Sequence, residues 1–119
     1  MQRMALRVWS TTFDCQDPPK QAEFWSAVSG YEVTQTSEYF AELTGDGSFG
    51  PRMMFIKVPE GKTAKNRMHV DLGTADLATE ISRVVGLGAT MVGRHDEFGI
   101  TWATLLDPEG NEFCIGLHP

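Results

Sequence analysis

Residues 65–72 read KNRMHVDL, and their alternation carries chemistry. On an extended chain Met68, Val70 and Leu72 fall on one side, His69 and Asp71 on the other. An imidazole and a carboxylate on the inner face of a strand must be hydrogen-bonded, bind something or meet water. Asp71 has a structural role open to it, accepting a hydrogen bond from His69, Arg67 or a backbone amide. An imidazole paired with a carboxylate is also a general base, provided a substrate proton comes within reach. A second stretch, NEFCIGL at 111–117, alternates in the same way. Phe113, Ile115 and Leu117 make its apolar face, and Glu112, Cys114 and Gly116 point the other way.

The elements that must hold these residues follow from periodicity and turn chemistry. A β-branched and aromatic run predicts a strand at about 5–13. Asp17 as N-cap and Pro18 at the first helical position start a helix with Ala22, Trp25, Val28 and Phe24 inward, which Gly30 ends. Strands are expected at 31–36, 38–44 and 52–58, with GDGSFGP as the turn-rich connection. The second half restarts the order with a strand at 67–73 and a helix from Asp76 to about Val85, its inward residues Leu77, Ile81, Val84 and Val85. Gly86 and Gly88 close that helix. Strands near 89–93, 100–106 and 112–117 follow, the last two joined by the DPEGN turn. Both halves read β-α-β-β-β, with Asp17 matching Asp76 and Gly30 matching Gly88. Repeats of roughly 50 residues mark units that bury a face against each other.

Composition limits the functions available. At 119 residues the chain is read as a single domain, module one about 5–58 and module two about 66–117. A net charge of −6 argues against nucleic acid, since phosphate binding needs a basic face. Arg3 and Arg7 interrupt any signal-peptide core, and no stretch approaches the roughly 20 apolar residues of a membrane span. Cys15 and Cys114 form neither a CxxC pair nor a disulfide framework, so a reducing cytoplasm is the expected compartment.

Three separated segments carry a family resemblance: DCQDPPKQAEFWSAVSGYEV at 14–33, VPEGKTAKNRMHVDL at 58–72 and LLDPEGNEFCI at 105–115. Together they resemble the vicinal-oxygen-chelate superfamily, which includes glyoxalases, bleomycin-resistance proteins and extradiol dioxygenases. More closely, they resemble the compact glyoxalase-like proteins common in actinobacteria. The resemblance implies an α+β fold of two βαβββ modules forming a curved mixed sheet around a shared cleft, commonly in a homodimer. It leaves the reaction open, because one fold hosts many chemistries.

In metal-using members one ligand lies on the first strand of a module and another on the last. Carried onto this chain, those positions are His69 and Glu112, 43 positions apart. They imply one divalent metal, whether zinc, nickel, manganese or iron, or an incomplete site that binds none. A facial triad or an open zinc site needs a third protein ligand. The corresponding first-module positions hold Ser10 or Thr11 on the first strand, and Met53 with its neighbours Arg52 and Met54 on the last. None is the histidine or glutamate wanted. Asp71 on the His69 face, Glu42, His95 in a polar RHDE loop and the penultimate His118 are alternatives. Without metal, His69 can instead hydrogen-bond Glu112 across the cleft. Lys62, Lys65 and Arg67 read as a solvated connector.

If the first module keeps the same register, Met53, Phe55 and Lys57 face the cleft, and Met54, Ile56 and Val58 face the helix. Trp102 and Thr104 line the cleft from the second module, while Trp9 can be registered either way. With Asp71, this lining suits a planar or hydrophobic small organic molecule. No basic partner in sequence argues for Cys114 as a nucleophile. Two functions remain: a metal-free small-molecule-binding protein, and a metal-dependent lyase, isomerase or dioxygenase acting through His69 and Glu112 on vicinal oxygens. A regulatory domain of ferredoxin-like type is disfavoured by the β-α-β-β-β order and the DPEGNEF motif.

Overall fold

The structure, a computed structural model, describes residues 8–45 and 50–118. Residues 5–7 of the expected first strand and 46–49 of the GDGSFGP connection lie outside these. The chain divides into two compact units, Met1–Glu60 and Gly61–Pro119. Each runs β-α-β-β-β, as the repeat in the sequence implies. The first contains β1 (Ser10–Cys15), α1 (Pro18–Ser29), β2 (Glu32–Thr36), β3 (Phe40–Thr44) and β4 (Arg52–Lys57). The second contains β5 (Val70–Thr74), α2 (Leu77–Gly86), β6 (Thr90–Glu97), β7 (Ile100–Leu106) and β8 (Glu112–Leu117). Each unit has one mixed four-stranded sheet, ordered β1-β4-β3-β2 and β5-β8-β7-β6, its first and last strands parallel. No helix among the described residues is long and apolar enough to cross a membrane.

Helix α1 forms where its caps dictate. The Asp17 carboxylate accepts the Lys20 amide at 3.2 Å, proline occupies the first helical position, and Gly30 takes the left-handed φ of 78° that ends the helix. Its buried face comprises Pro18, Gln21, Ala22, Phe24, Trp25 and Val28. The sheet meets it with Phe13, whose ring lies 5.5 Å from Trp25 and 5.1 Å from Phe55. Ala41, Leu43, Met53 and Phe55 complete this core.

The facing of β4 is therefore the reverse of the expectation. Met53 and Phe55, proposed as ligand-lining residues, pack against the helix at 7% and 0% exposure, and Arg52, Met54 and Ile56 take the other face. The run MMFI is apolar at every position, so alternation alone contains no information about which side is buried. The parallel pairing Phe13–Phe55 decides it.

Helix α2 is capped by Asp76, whose two oxygens accept the Thr79 amide at 3.2 Å and hydroxyl at 2.8 Å. Leu77 and Val84 are its buried residues and Ile81 is half-buried, but Val85 is exposed. At 3.6 residues per turn Val84 falls about 20° from Leu77 around the helix, and Val85 about 80° away. The core of this unit takes Ala103, Leu105, Phe113 and Ile115 from the sheet.

Strand β5 starts at Val70, so His69 stands just before the sheet instead of inside it, and Met68 is 83% exposed. The Glu112 amide donates to Asn66 Oδ1 at 2.9 Å, so a side chain satisfies it and the ladder begins at Val70–Phe113. The DPEGN turn forms as expected: buried Asp107 accepts the amides of Glu109 and Asn111, each at 2.9 Å. This fixes where β8 begins, and hence which of its side chains share a face.

Candidate functional site

The second sheet has one face packed on apolar neighbours and one that carries its polar chemistry. Parallel pairing sets Asp71 beside Cys114, and antiparallel pairing sets Cys114 beside Thr104. The Thr104 hydroxyl lies 3.6 Å from Cys114 Sγ. His69, at the threshold of β5, brings Nδ1 to 2.8 Å from Asp71 Oδ1. His69, Asp71 and Cys114 thus form a compact nitrogen, oxygen and sulfur group, with one ligand atom from each within 4.8 Å of the others. Cys114 is partly buried, and that burial pushes its thiol pKa up, so it rests as the neutral thiol.

The same face continues along β7 and β8. Trp102 pairs across to His95, and their rings stack at 5.0 Å with 29° between planes. His95 is a residue of β6, not of a polar loop. Beyond Cys114, Gly116 and then His118 alternate onto this side. A Cβ added at Gly73 or Gly116 would meet the His118 ring at 2.9 or 3.0 Å, so these glycines give the imidazole its seat. All three histidines of the chain therefore lie on the same side of the second sheet, His69 and His118 just beyond its strand ends.

Glu112 has a different partner from either one expected of it. Lys65 Nζ donates to both carboxylate oxygens, at 2.8 and 2.9 Å. That contact holds the Glu112 carboxyl below its ordinary range, with weaker opposition from desolvation. Lys65 was expected to be solvated, and its side chain is 78% exposed, yet its ammonium is engaged. His69 hydrogen-bonds Asp71, not Glu112.

In the first unit, Ser10 pairs with Arg52, the position that β5 and β8 would give to His69 and Glu112 if their ladder extended by one residue. Arg52 donates to Glu42 at 2.8 Å, and its guanidinium stacks 4.1 Å over the Trp9 ring. Thr34 supplies a second hydrogen bond to Glu42 at 2.8 Å. Thr34 foremost, then Arg52, hold the Glu42 carboxyl below its ordinary pKa. The metal set implied by the resemblance therefore does not fit these residues. Its carboxylate is neutralised by Lys65, and the first-module counterparts are a hydroxyl and a cation.

Two βαβββ units with mixed sheets define an α+β architecture shared with the vicinal-oxygen-chelate superfamily. The family model of the glyoxalase-like domain matches residues 10–116, and the chain belongs to that family. No curated protein matches the sequence. Among solved structures, a glyoxalase/bleomycin resistance protein/dioxygenase family enzyme from Burkholderia phytofirmans is similar with a TM-score of 0.76 at 17% identity, covering 90% of this chain and 94% of its own. A variant of the fosfomycin resistance protein FosX from Listeria monocytogenes, complexed with Mn(II) and a dihydroxypropylphosphonic acid, gives a TM-score of 0.78 at 12% identity, covering 99% of this chain and 93% of its own. Lactoylglutathione lyase from Agrobacterium tumefaciens gives 0.67 at 14% identity, covering 96% of this chain and 95% of its own. At these identities the likeness is one of fold.

Sequence reading set His69 with Asp71 and expected Trp102 and Thr104 to line a cleft between the modules; the structure places all four on one side of the second sheet. It missed the engagement of Lys65, for which an exposed lysine in a loop carries no signal. The contributions of Cys114 and His118 were partly legible, because both continue the alternation that starts at Glu112.

Proposed function

We propose that the protein binds a small planar organic molecule on the polar face of its second sheet, with Trp102 as the stacking surface. The stacked Trp102–His95 pair carries this reading. A large ring held flat by a neighbour loses little freedom on binding, and its face offers dispersion contacts to a planar ligand. Beside it, Thr104 and the His69–Asp71 pair supply hydrogen-bonding groups that orient a ligand. Sequestration without chemistry is consistent with a site whose carboxylate Glu112 is already occupied.

The second reading is a metal-dependent reaction through His69 and Glu112. The manganese complex of the Listeria neighbour favours it. The Lys65 ion pair and Arg52 count against it here.

The test is a titration of the purified protein with a panel of planar aromatic compounds, followed by tryptophan fluorescence. A saturable quench that disappears in Trp102→Phe is expected. A quench that survives the substitution, or none with any compound, overturns the assignment of Trp102.

A further inference from the structure

The group formed by His69, Asp71 and Cys114 shares His69 with the ligand pair the resemblance implies but has Asp71 and Cys114 in place of Glu112, and its geometry goes beyond the reading just given. It combines an imidazole, a carboxylate and a sulfur, the donor types that borderline divalent metals take together. Three ligands with one open position is the arrangement of an exchangeable zinc site. We infer that His69, Asp71 and Cys114 bind a borderline divalent metal ion such as zinc, with water in the fourth position.

Four observations lead there. The ligand atoms already lie within 4.8 Å of one another. Around a tetrahedral ion with bonds of about 2.0–2.3 Å they would stand roughly 3.5 Å apart, so the widest pair closes by about 1 Å, while the 2.8 Å contact between His69 and Asp71 opens and its proton shifts to the other ring nitrogen or to solvent. Strand pairing fixes two of the three, since Asp71 and Cys114 are direct neighbours across β5 and β8. The third, His69, stands beside them, its Nδ1 2.8 Å from Asp71 Oδ1. Glu112 offers no competing carboxylate, because Lys65 holds both its oxygens. Binding exchanges the Cys114 S–H bond for a sulfur–metal bond and releases the proton to solvent, with no change in oxidation state.

The experiment is a titration of tag-free, chelator-stripped protein with Co(II) alone, with no organic ligand present, so that its outcome is independent of the stacking proposal. The expected result is a saturable near-ultraviolet thiolate-to-cobalt charge-transfer band that Zn(II) displaces. Cys114→Ser and Cys114→Ala each abolish the band, and whichever keeps the wild-type circular dichroism decides. Asp71→Asn weakens cobalt binding by roughly tenfold or more. Glu112→Gln leaves it unchanged. No band at millimolar cobalt, or a band that survives loss of the Cys114 thiol, overturns the assignment. So does binding that requires Glu112 and not Cys114.

Discussion

Glu42 and Glu112 are both held ionised by named partners, and each gives a measurable pH effect. Glu42 has its carboxyl depressed below 4.5 by Thr34 and Arg52. A depressed carboxylate contributes stability that is complete above its unfolded pKa and is lost as pH falls through the folded one. Chemical denaturation from pH 7 downward should therefore show stability falling below about pH 4.5, with a shallower fall in Glu42→Gln. For Glu112, Lys65→Ala removes the main depressing contact. A carbon-detected NMR titration should show the Glu112 carboxyl moving up toward its ordinary value; an unmoved titration would mean that Lys65 does not hold it.

At the scale of elements, two turns set the geometry of the polar face. Phe98 and Gly99 form the two-residue connection between β6 and β7, with φ of 56° and 73°. Positive φ at both positions is the primed hairpin turn, for which Asn-Gly is the favoured pair. Phe98 is 92% exposed and gains nothing from packing to offset the left-handed backbone. Phe98→Asn should stabilise the protein by about 1 kcal/mol, seen as a melting temperature a few degrees higher. The opposite sign is expected at the other turn. Asp107 accepts the amides of Glu109 and Asn111 from a buried position, so Asp107→Ala leaves them without that acceptor. A loss of about 2 kcal/mol in urea unfolding should result.

At the scale of the whole molecule, each sheet packs one face in a core, and paired substitutions should separate that role from the ligand binding proposed for the second sheet. Phe55→Ala removes a ring from the stack with Phe13 and should cost about 3–5 kcal/mol, with no direct effect on ligand quenching. Trp102→Ala should do the reverse, abolishing the quench at a smaller cost in denaturant midpoint, because Trp102 retains some exposure where Phe55 has none. Equal stability losses in the two variants would erase the division.

The sequence by itself determined the order of elements, both helix N-caps, the DPEGN turn and the family; the end of α2 differs from the reading, since Gly86 is its last helical residue and Leu87 its C-cap. These are local signals: a carboxylate three residues before an amide, a proline at a first helical position, an alternation bounded by glycines. It also set His69 with Asp71, and Glu112 with Cys114, each pair on one side of its own stretch, because a period of two has only two outcomes; that these sides and Trp102 meet on one face was decided by strand pairing. Pairing between distant strands decided what remained. MMFI is apolar on both sides, so only the contact of Phe55 with Phe13 fixed the core face of β4. In sequence Glu112 reads as a partner of His69 or of a metal, and only the folded path of residues 61–69 gave it to Lys65 and left His69 to Asp71. Such choices depend on distances of a few ångströms between residues dozens of positions apart, which no local pattern encodes.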